Sequence, residues 1–411
     1  MPAILDLVDE TEAVELYKQL IRIPSEYADG VVADHERIAR FLESHLRELG
    51  LSVDYYVPPK DGQDFPIIIA RARGEDRERS LCFFGHYNTV PVGDRTKWTK
   101  DPFGAEVEGD RVYGRGAADM KNGIASVIAA LAAFLRLNQR PKGDIACMFV
   151  PGEGAQFRSV TQLIQERSDL ARADIYLDAD VGAPFSIVLM SGGIVWVKLT
   201  VRGKEGHTGL FRTDGSQPRN AIVKMARILS RVVDVDQWMR YEEHRLFGPP
   251  TRYSKKPIVE VGVISGGRTV NVVPDECTAL IDIRMLPGQI PEGLLGELHA
   301  LVRSEIEEHL GFSYDIDLVS TQDVAGKFEE HDVFVKQLQE AVRVVAGQEV
   351  RFIGGIGSQR AILWRLGKVI HMGPVEGYGN VHGHDEYGSI QSVLTTAKIY
   401  AKLIELFISS E

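Results

Sequence analysis

His86 and Asp119 are the residues whose type and setting promise chemistry most directly. His86 stands in Gly85-His86-Tyr87-Asn88-Thr89-Val90-Pro91, directly after the apolar run Leu81-Cys82-Phe83-Phe84. That run reads as a buried strand. Asp119 stands in Gly114-Arg115-Gly116-Ala117-Ala118-Asp119-Met120-Lys121, ahead of an apolar stretch from Gly123 to Leu137. A histidine thus sits at the mouth of a strand and an aspartate just before a helix. Neutral imidazole and carboxylate are the donors that zinc, manganese or cobalt accept.

The elements that must position them follow from periodicity. Residues 10–22 and 33–49 read as helices, the second with Ile38, Phe41, Leu42, Leu46 and Leu49 at helical spacing. Strand-like runs follow at 52–57, 66–71 and 81–86, then an Ala- and Leu-rich helix after Asp119, then strands at 144–151 and 174–180. Such alternation predicts an α/β sheet with helices on both faces. Near Ser191-Gly192-Gly193 the pattern changes. A strand at 194–202, a helix at 220–233, strands at 257–264 and 277–285, a helix at 292–309 and a strand at 313–319 form a β-α-β-β-α-β string. That string is the mark of a ferredoxin-like unit. After about residue 322 the first style returns. The expected organisation is a catalytic α/β domain over 1–190 and 322–411, interrupted by a ferredoxin-like α+β lid over 191–321. Helix 218–233 and the edge of the inserted sheet would suit a homodimer contact.

Composition narrows the class. A chain of 411 residues with 44% apolar content can fill full-sized cores. No apolar run approaches the roughly 20 residues of a membrane span. The acidic start lacks the order of a signal peptide, so a cytoplasmic location is expected. Cys82, Cys147 and Cys277 fall in apolar runs and read as reduced core residues. A net charge of −11 argues against nucleic acid as the main partner. The Gly-rich runs Ser265-Gly266-Gly267 and Gly354-Gly355 lack the Gly-Lys-Ser/Thr of a phosphate loop.

In order and content, the motifs resemble the acetylornithine deacetylase, succinyl-diaminopimelate desuccinylase and glutamate carboxypeptidase family of metallohydrolases. The resemblance is most specific from His86 to Met120, including Trp98…Asp101-Pro102-Phe103. It extends to Val270-Asn271-Val272-Val273-Pro274, Ile281-Asp282-Ile283-Arg284 and His382-Gly383-His384-Asp385-Glu386-Tyr387. It implies a mixed-sheet, metallopeptidase-like catalytic domain, a lid that often dimerises, and a two-metal centre bridged by an aspartate. His86 would then bind the first metal and Asp119 would bridge. Asp180 would be the acidic ligand of the first metal, with Asp178 as its rival. His382 would bind the second metal, with His384 as its rival. Glu153 falls at the general base, which would take a proton from a metal-activated water. His207, in Gly206-His207-Thr208-Gly209, matches the lid histidine that steadies a developing oxyanion. Arg360 matches a carboxylate-gripping position, with Arg284 and Asn271 as further substrate-binding candidates. His244, His299, His309, His331 and His371 read as structural or surface residues.

Three positions depart from the family. Asn88 stands where an aspartate backs the imidazole; an amide can orient the ring but adds no charge. Gly152-Glu153-Gly154 stands where two glutamates are expected, which keeps the base and removes a ligand of the second metal. Ser358 stands where aspartate is common. Three protein ligands plus water make a plausible first site, whereas Asp119 and His382 alone make a weak second one. One firmly bound ion, or a labile centre completed by substrate, is the expectation. The family default is amide hydrolysis of a small, carboxylate-bearing N-acyl amino acid or dipeptide-like compound. The alternatives are an aminohydrolase releasing ammonia from a small amino acid, aromatic ones included, and an inactive binding protein on the same fold.

Overall fold

The computed structural model describes residues 3–28, 31–32, 35–58, 65–152, 158–209, 218–243, 246, 254–307, 311–322, 328–355, 362–364 and 366–409. Two compact units make up the chain: Met1–Leu189 with Lys327–Ile353 and Ile362–Glu411, and Met190–Gly326 with Gly354–Ala361.

An eight-stranded sheet carries the strands in the order Arg351–Gly355, Ser186–Ser191, Lys368–His371, Ile175–Asp178, Asp76–His86, Gly143–Val150, Ile67–Ala72, Ser52–Tyr56. The central run from Lys368–His371 to Gly143–Val150 is parallel. Ile67–Ala72 and Ser52–Tyr56 add antiparallel to one side. Parallel strands need cover on both faces, and their residues read as apolar runs for that reason. Gly143–Val150 is buried along its whole length. On one face Cys82, Phe84 and Met148 pack with Val160 and Leu163 of helix Arg158–Ala171. On the other, Phe83 meets Tyr400 of helix Ile390–Ser409, ring centroids 5.1 Å apart.

Helix Lys121–Arg136 is buried from Lys121 to Phe134, which explains why its sequence is apolar all round. Helix Glu10–Arg22 starts on Asp9, whose side chain accepts from Glu12 N at 3.0 Å, and turns Leu16, Tyr17, Leu20 and Ile21 inward. Two glycines let backbone close on the strand end beside Asp180. A Cβ at Gly123 would lie 2.1 Å from the Ala179 carbonyl oxygen, and one at Gly373 would lie 1.5 Å from that of Asp180.

The second unit holds an antiparallel four-stranded sheet, ordered Ile258–Gly266, Glu276–Arg284, Ile194–Arg202, Ser313–Gln322. Helices Ala221–Val232 and Pro291–Glu307 complete the β-α-β-β-α-β order of a ferredoxin-like fold. Val195, Val197, Leu199 and Val201 alternate inward and pack with Met225, Ile228, Leu298 and Val302. Each such buried side chain contributes about 1.5–3 kcal/mol. Asn220 starts its helix by accepting from Val223 N at 3.1 Å. Cys82, Cys147 and Cys277 are buried and free, as read from the sequence. No helix of the described residues is long and apolar enough to cross a membrane.

Candidate metal centre

The carboxyl ends of the parallel strands form the site, where open α/β sheets place their ligands. His86 closes strand Asp76–His86, and Asp180 follows Ile175–Asp178 by two residues. Asp119 immediately precedes Met120, the residue before helix Lys121–Arg136. One donor atom from each of His86, Asp119 and Asp180 lies within 4.8 Å of the others. His86 Nε2 is 2.9 Å from Asp119 Oδ1 and 3.6 Å from Asp180 Oδ2. On the far side of the aspartate, His382 Nε2 lies 3.1 Å from Asp119 Oδ2. Asp119 therefore stands between two imidazoles, one per oxygen. His86 Nε2 and Asp119 Oδ1 are buried without a hydrogen-bond partner. At 2.9 Å they face each other closely but out of hydrogen-bond alignment. Buried polar atoms are normally paired, and an imidazole with two carboxylates is a donor set that fits a divalent transition metal.

The surroundings hold these donors rigidly. His86 Nδ1 lies 2.9 Å from the main-chain oxygen of Asn88. The ring is thus oriented by a backbone carbonyl, while the Asn88 amide oxygen accepts from Gly152 N at 2.8 Å and so pins the end of strand Gly143–Val150. Sequence reasoning missed a buried ion pair that joins the other two loops. Glu386 Oε2 takes Arg115 at 2.5 Å, and Glu386 Oε1 accepts from Ala118 N at 2.9 Å and Asp119 N at 3.2 Å. The Arg115 guanidinium also donates to the carbonyl oxygens of Pro91 and His382. Asp385 adds bonds from Thr99 N and Lys100 N. Strands Arg111–Tyr113 and Tyr387–Ser389 pair antiparallel, so the Asp119 and His382 loops share a small sheet. His382 has φ +63°, a left-handed conformation that such a framework can enforce.

Asp178 and Asp180 have different partners. Asp178 Oδ2 lies 2.8 Å from His371 Nδ1 across adjacent parallel strands, where the two residues are register partners. Asp180, not Asp178, joins the His86 cluster. His371 is buried, so its role is to hold the strand end behind the site. His384 turns to the Trp98 indole, edge-on at 6.1 Å. Glu153 and Arg360 lie outside the described residues, as does Ser358. His207, Asn271 and Arg284 belong to the second unit. There His207 pairs with Val272 next to Asn271, and its Nδ1 accepts from Gly209 N at 3.0 Å. Arg284 is engaged by Asp282 of its own strand, Nε 2.9 Å from each carboxylate oxygen.

Burial favours neutral His86, but the facing carboxylates of Asp119 and Asp180 outweigh it and hold the imidazole pKa well above its ordinary value. Burial likewise pushes Asp119 up, yet His382 and His86 hold its carboxyl well below the usual range. A proton on His86 therefore occupies the electrostatic place of a cation. A metal ion must displace it, so metal uptake is expected to release close to one proton per ion at neutral pH, and affinity is expected to fall as pH drops. Calorimetric titration with zinc in two buffers of different ionisation enthalpy measures that number. Uptake without proton release would mean that His86 is already neutral before the metal arrives.

The family profile described as Peptidase family M20/M25/M40 matches residues 82–406. Succinyl-diaminopimelate desuccinylase of Thioalkalivibrio sulfidiphilus is 28% identical over 336 residues, 79% of this chain and 83% of that protein. Its counterpart in Rhodospirillum centenum is 29% identical over 405 residues, 96% of this chain and 97% of that protein. In fold, the chain is similar to the di-peptidase Dug1p of Saccharomyces cerevisiae, with TM-score 0.80 at 15% identity over 99% of this chain and 98% of that one. With the profile running through the His86 strand, the Asp119 loop and the His382 loop, the chain belongs to peptidase family M20/M25/M40 and is a metallohydrolase acting on amide bonds of small molecules.

Proposed function

We propose that this chain hydrolyses the amide bond of an N-acyl amino acid or dipeptide-like compound that carries a free carboxylate. The observation that carries the reading is Asp119 set between His86 and His382, with Asp180 completing the His86 side. The desuccinylase and di-peptidase relatives supply the substrate class. In this reading His86, Asp119 and Asp180 hold a first zinc, manganese or cobalt ion, and Asp119 with His382 offers a weaker second place. A divalent ion there supplies Lewis acidity toward an oxygen at the reaction centre. Glu153 accepts the proton of the attacking water and delivers it to the leaving amine. His207 steadies the developing oxyanion. Arg360 grips the substrate carboxylate, with Asn271 and Arg284 as supporting groups. The edge strand Ile258–Gly266 exposes Val263 and Ile264 by 52% and 54%, which supports a homodimer through the second unit. Three buried, unbridged cysteines support a reducing, cytoplasmic setting.

The test is end-product analysis of the metal-loaded protein with N-succinyl and N-acetyl amino acids and simple dipeptides. Amine and carboxylic acid are expected in equal amounts from at least one of them. Free ammonia with no acyl acid from any would replace this reading with an aminohydrolase.

A further inference from the structure

A cavity of about 550 Å3 opens in the first unit, between the sheet and the end of helix Arg158–Ala171. It lies at the opposite ends of the parallel strands from the metal centre. Ser80 and Cys82 line it, and His86 closes the same strand six residues beyond Ser80. At about 3.3 Å per residue that is roughly 20 Å. The floor is made of small side chains, Cys82, Ala146, Ala171 and Ala173. Burial pushes the Cys82 thiol up to about 12, so it stays neutral and acts as an apolar surface.

The polar lining is unevenly satisfied. Arg71 reaches in with only 7% of its side chain exposed, and its one recorded partner among the described residues is Asp54, at 2.8 Å. A guanidinium has five N–H donors, and the bond from Arg71 Nη1 to Asp54 uses one of them. Arg172, at the mouth, has no side-chain partner among the described residues. The carboxylates are mostly occupied. Asp144 takes Arg73 and Gly74 N. Asp169 gives both oxygens to Arg167. Asp174 Oδ2 takes Ser80 N and Oγ, which leaves Asp174 Oδ1 without a recorded partner among the described residues. Strand register sets the spacing. Arg71, Ala146 and Cys82 share one row across the sheet, and Asp144 and Ser80 share the row two residues away. Rows two residues apart are separated by about 7 Å.

We propose that this cavity binds a free α-amino acid, its carboxylate on Arg71 and Arg172 and its ammonium on Asp174. The volume lies in the range of small-molecule sites, about 300–1,000 Å3. Three guanidiniums and three carboxylates line it, so the wall is neutral overall. A bare anion would meet Asp144, Asp169 and Asp174, and a bare cation would meet Arg71. A zwitterion matches the unspent donors and the unspent acceptor together. Arg71 offers the fork that grips a carboxylate in bidentate fashion. The site is separate from the amide substrate proposed above and does not depend on that assignment.

Calorimetric titration of the metal-loaded enzyme with a panel of L-amino acids, with acetate and inorganic phosphate alongside, tests it. At least one amino acid is expected to bind with a Kd of about 1 mM or tighter, and Arg71→Met is expected to weaken it at least about tenfold. Asp174→Asn and Arg172→Ala, both at exposed positions, should weaken it as well and carry the test if Arg71→Met does not fold. Asp119→Asn, which disables the metal centre, should leave this binding unchanged. No binding at about 10 mM, or acetate or phosphate binding as tightly as the amino acid, overturns the proposal. So does binding that vanishes with Asp119→Asn and survives Arg71→Met, since the ligand would then sit at the metal.

Discussion

Asp119→Asn is expected to lower kcat/KM by at least about 10^3-fold and to strip the protein of tightly held metal, with the fold retained. A carboxylate presents an acceptor at each oxygen, and here each oxygen faces a different imidazole, His86 Nε2 at 2.9 Å and His382 Nε2 at 3.1 Å. A carboxamide presents one oxygen and one NH2. Whichever way the introduced amide turned, its NH2 would point at one of the two histidines and occupy a ligand position with a donor. The substitution also removes one of the two carboxylates that hold His86 above its ordinary pKa. The imidazole should then titrate closer to neutrality, visible by NMR in the metal-free protein. Elemental analysis after gel filtration gives the metal content, and kcat/KM on any amide the wild type cleaves gives the loss of function. Full metal occupancy together with wild-type turnover would show that Asp119 does not bridge.

His86 and Asp119 are legible in the sequence because each adjoins a strongly apolar element, Leu81–His86 in one case and the helix after Met120 in the other. The strand Ile194–Arg202 is equally legible, since inward Val195, Val197, Leu199 and Val201 alternate with wetter positions. The choice between Asp178 and Asp180 is not. The two stand two residues apart at the end of the same strand, and what separates them is His371, a partner 193 residues away that takes Asp178 out of the cluster. The Arg115–Glu386 pair is hidden for a related reason. Both residues lie within motifs that read first as carriers of a neighbouring metal ligand, and their bond spans 271 positions. Asn88 shows the limit of motif reasoning at a single residue. The motif puts its side chain behind the imidazole, yet its own carbonyl does that work and the amide goes to Gly152. Helix Arg158–Ala171 escapes individual assignment, and Arg167 inside it has φ −142° and ψ 48°, which interrupts its periodicity.

Arg115→Met is expected to destabilise the chain by about 3–5 kcal/mol at neutral pH, the usual cost of leaving a buried charge without its partner. Both members are nearly sealed from solvent, with 2% and 1% of their side chains exposed. A methionine can fill much of the volume over the Trp98 ring, where the guanidinium carbon now sits 5.2 Å from the centroid. It cannot neutralise Glu386. Burial already pushes the Glu386 pKa up, and Asp119 adds to that, while Arg115 opposes both. Without Arg115 the folded-state value rises further. A carboxyl whose pKa is higher folded than unfolded binds more protons in the native state, so stability falls as pH climbs from the unfolded value through the folded one. The deficit of Arg115→Met should therefore be largest at neutral and alkaline pH and shrink as pH falls toward the ordinary glutamate range. Denaturant unfolding of variant and wild type at several pH values reads this directly. A deficit that stays constant with pH would mean that only packing was lost. Activity should fall with stability even where the variant is folded. Glu386 Oε1 fixes the Asp119 amide, and Arg115 reaches the His382 carbonyl, so the two loops that present Asp119 to His382 lose their common anchor. Metal affinity measured on the folded variant should drop at least about tenfold, the scale on which groups that orient ligands act.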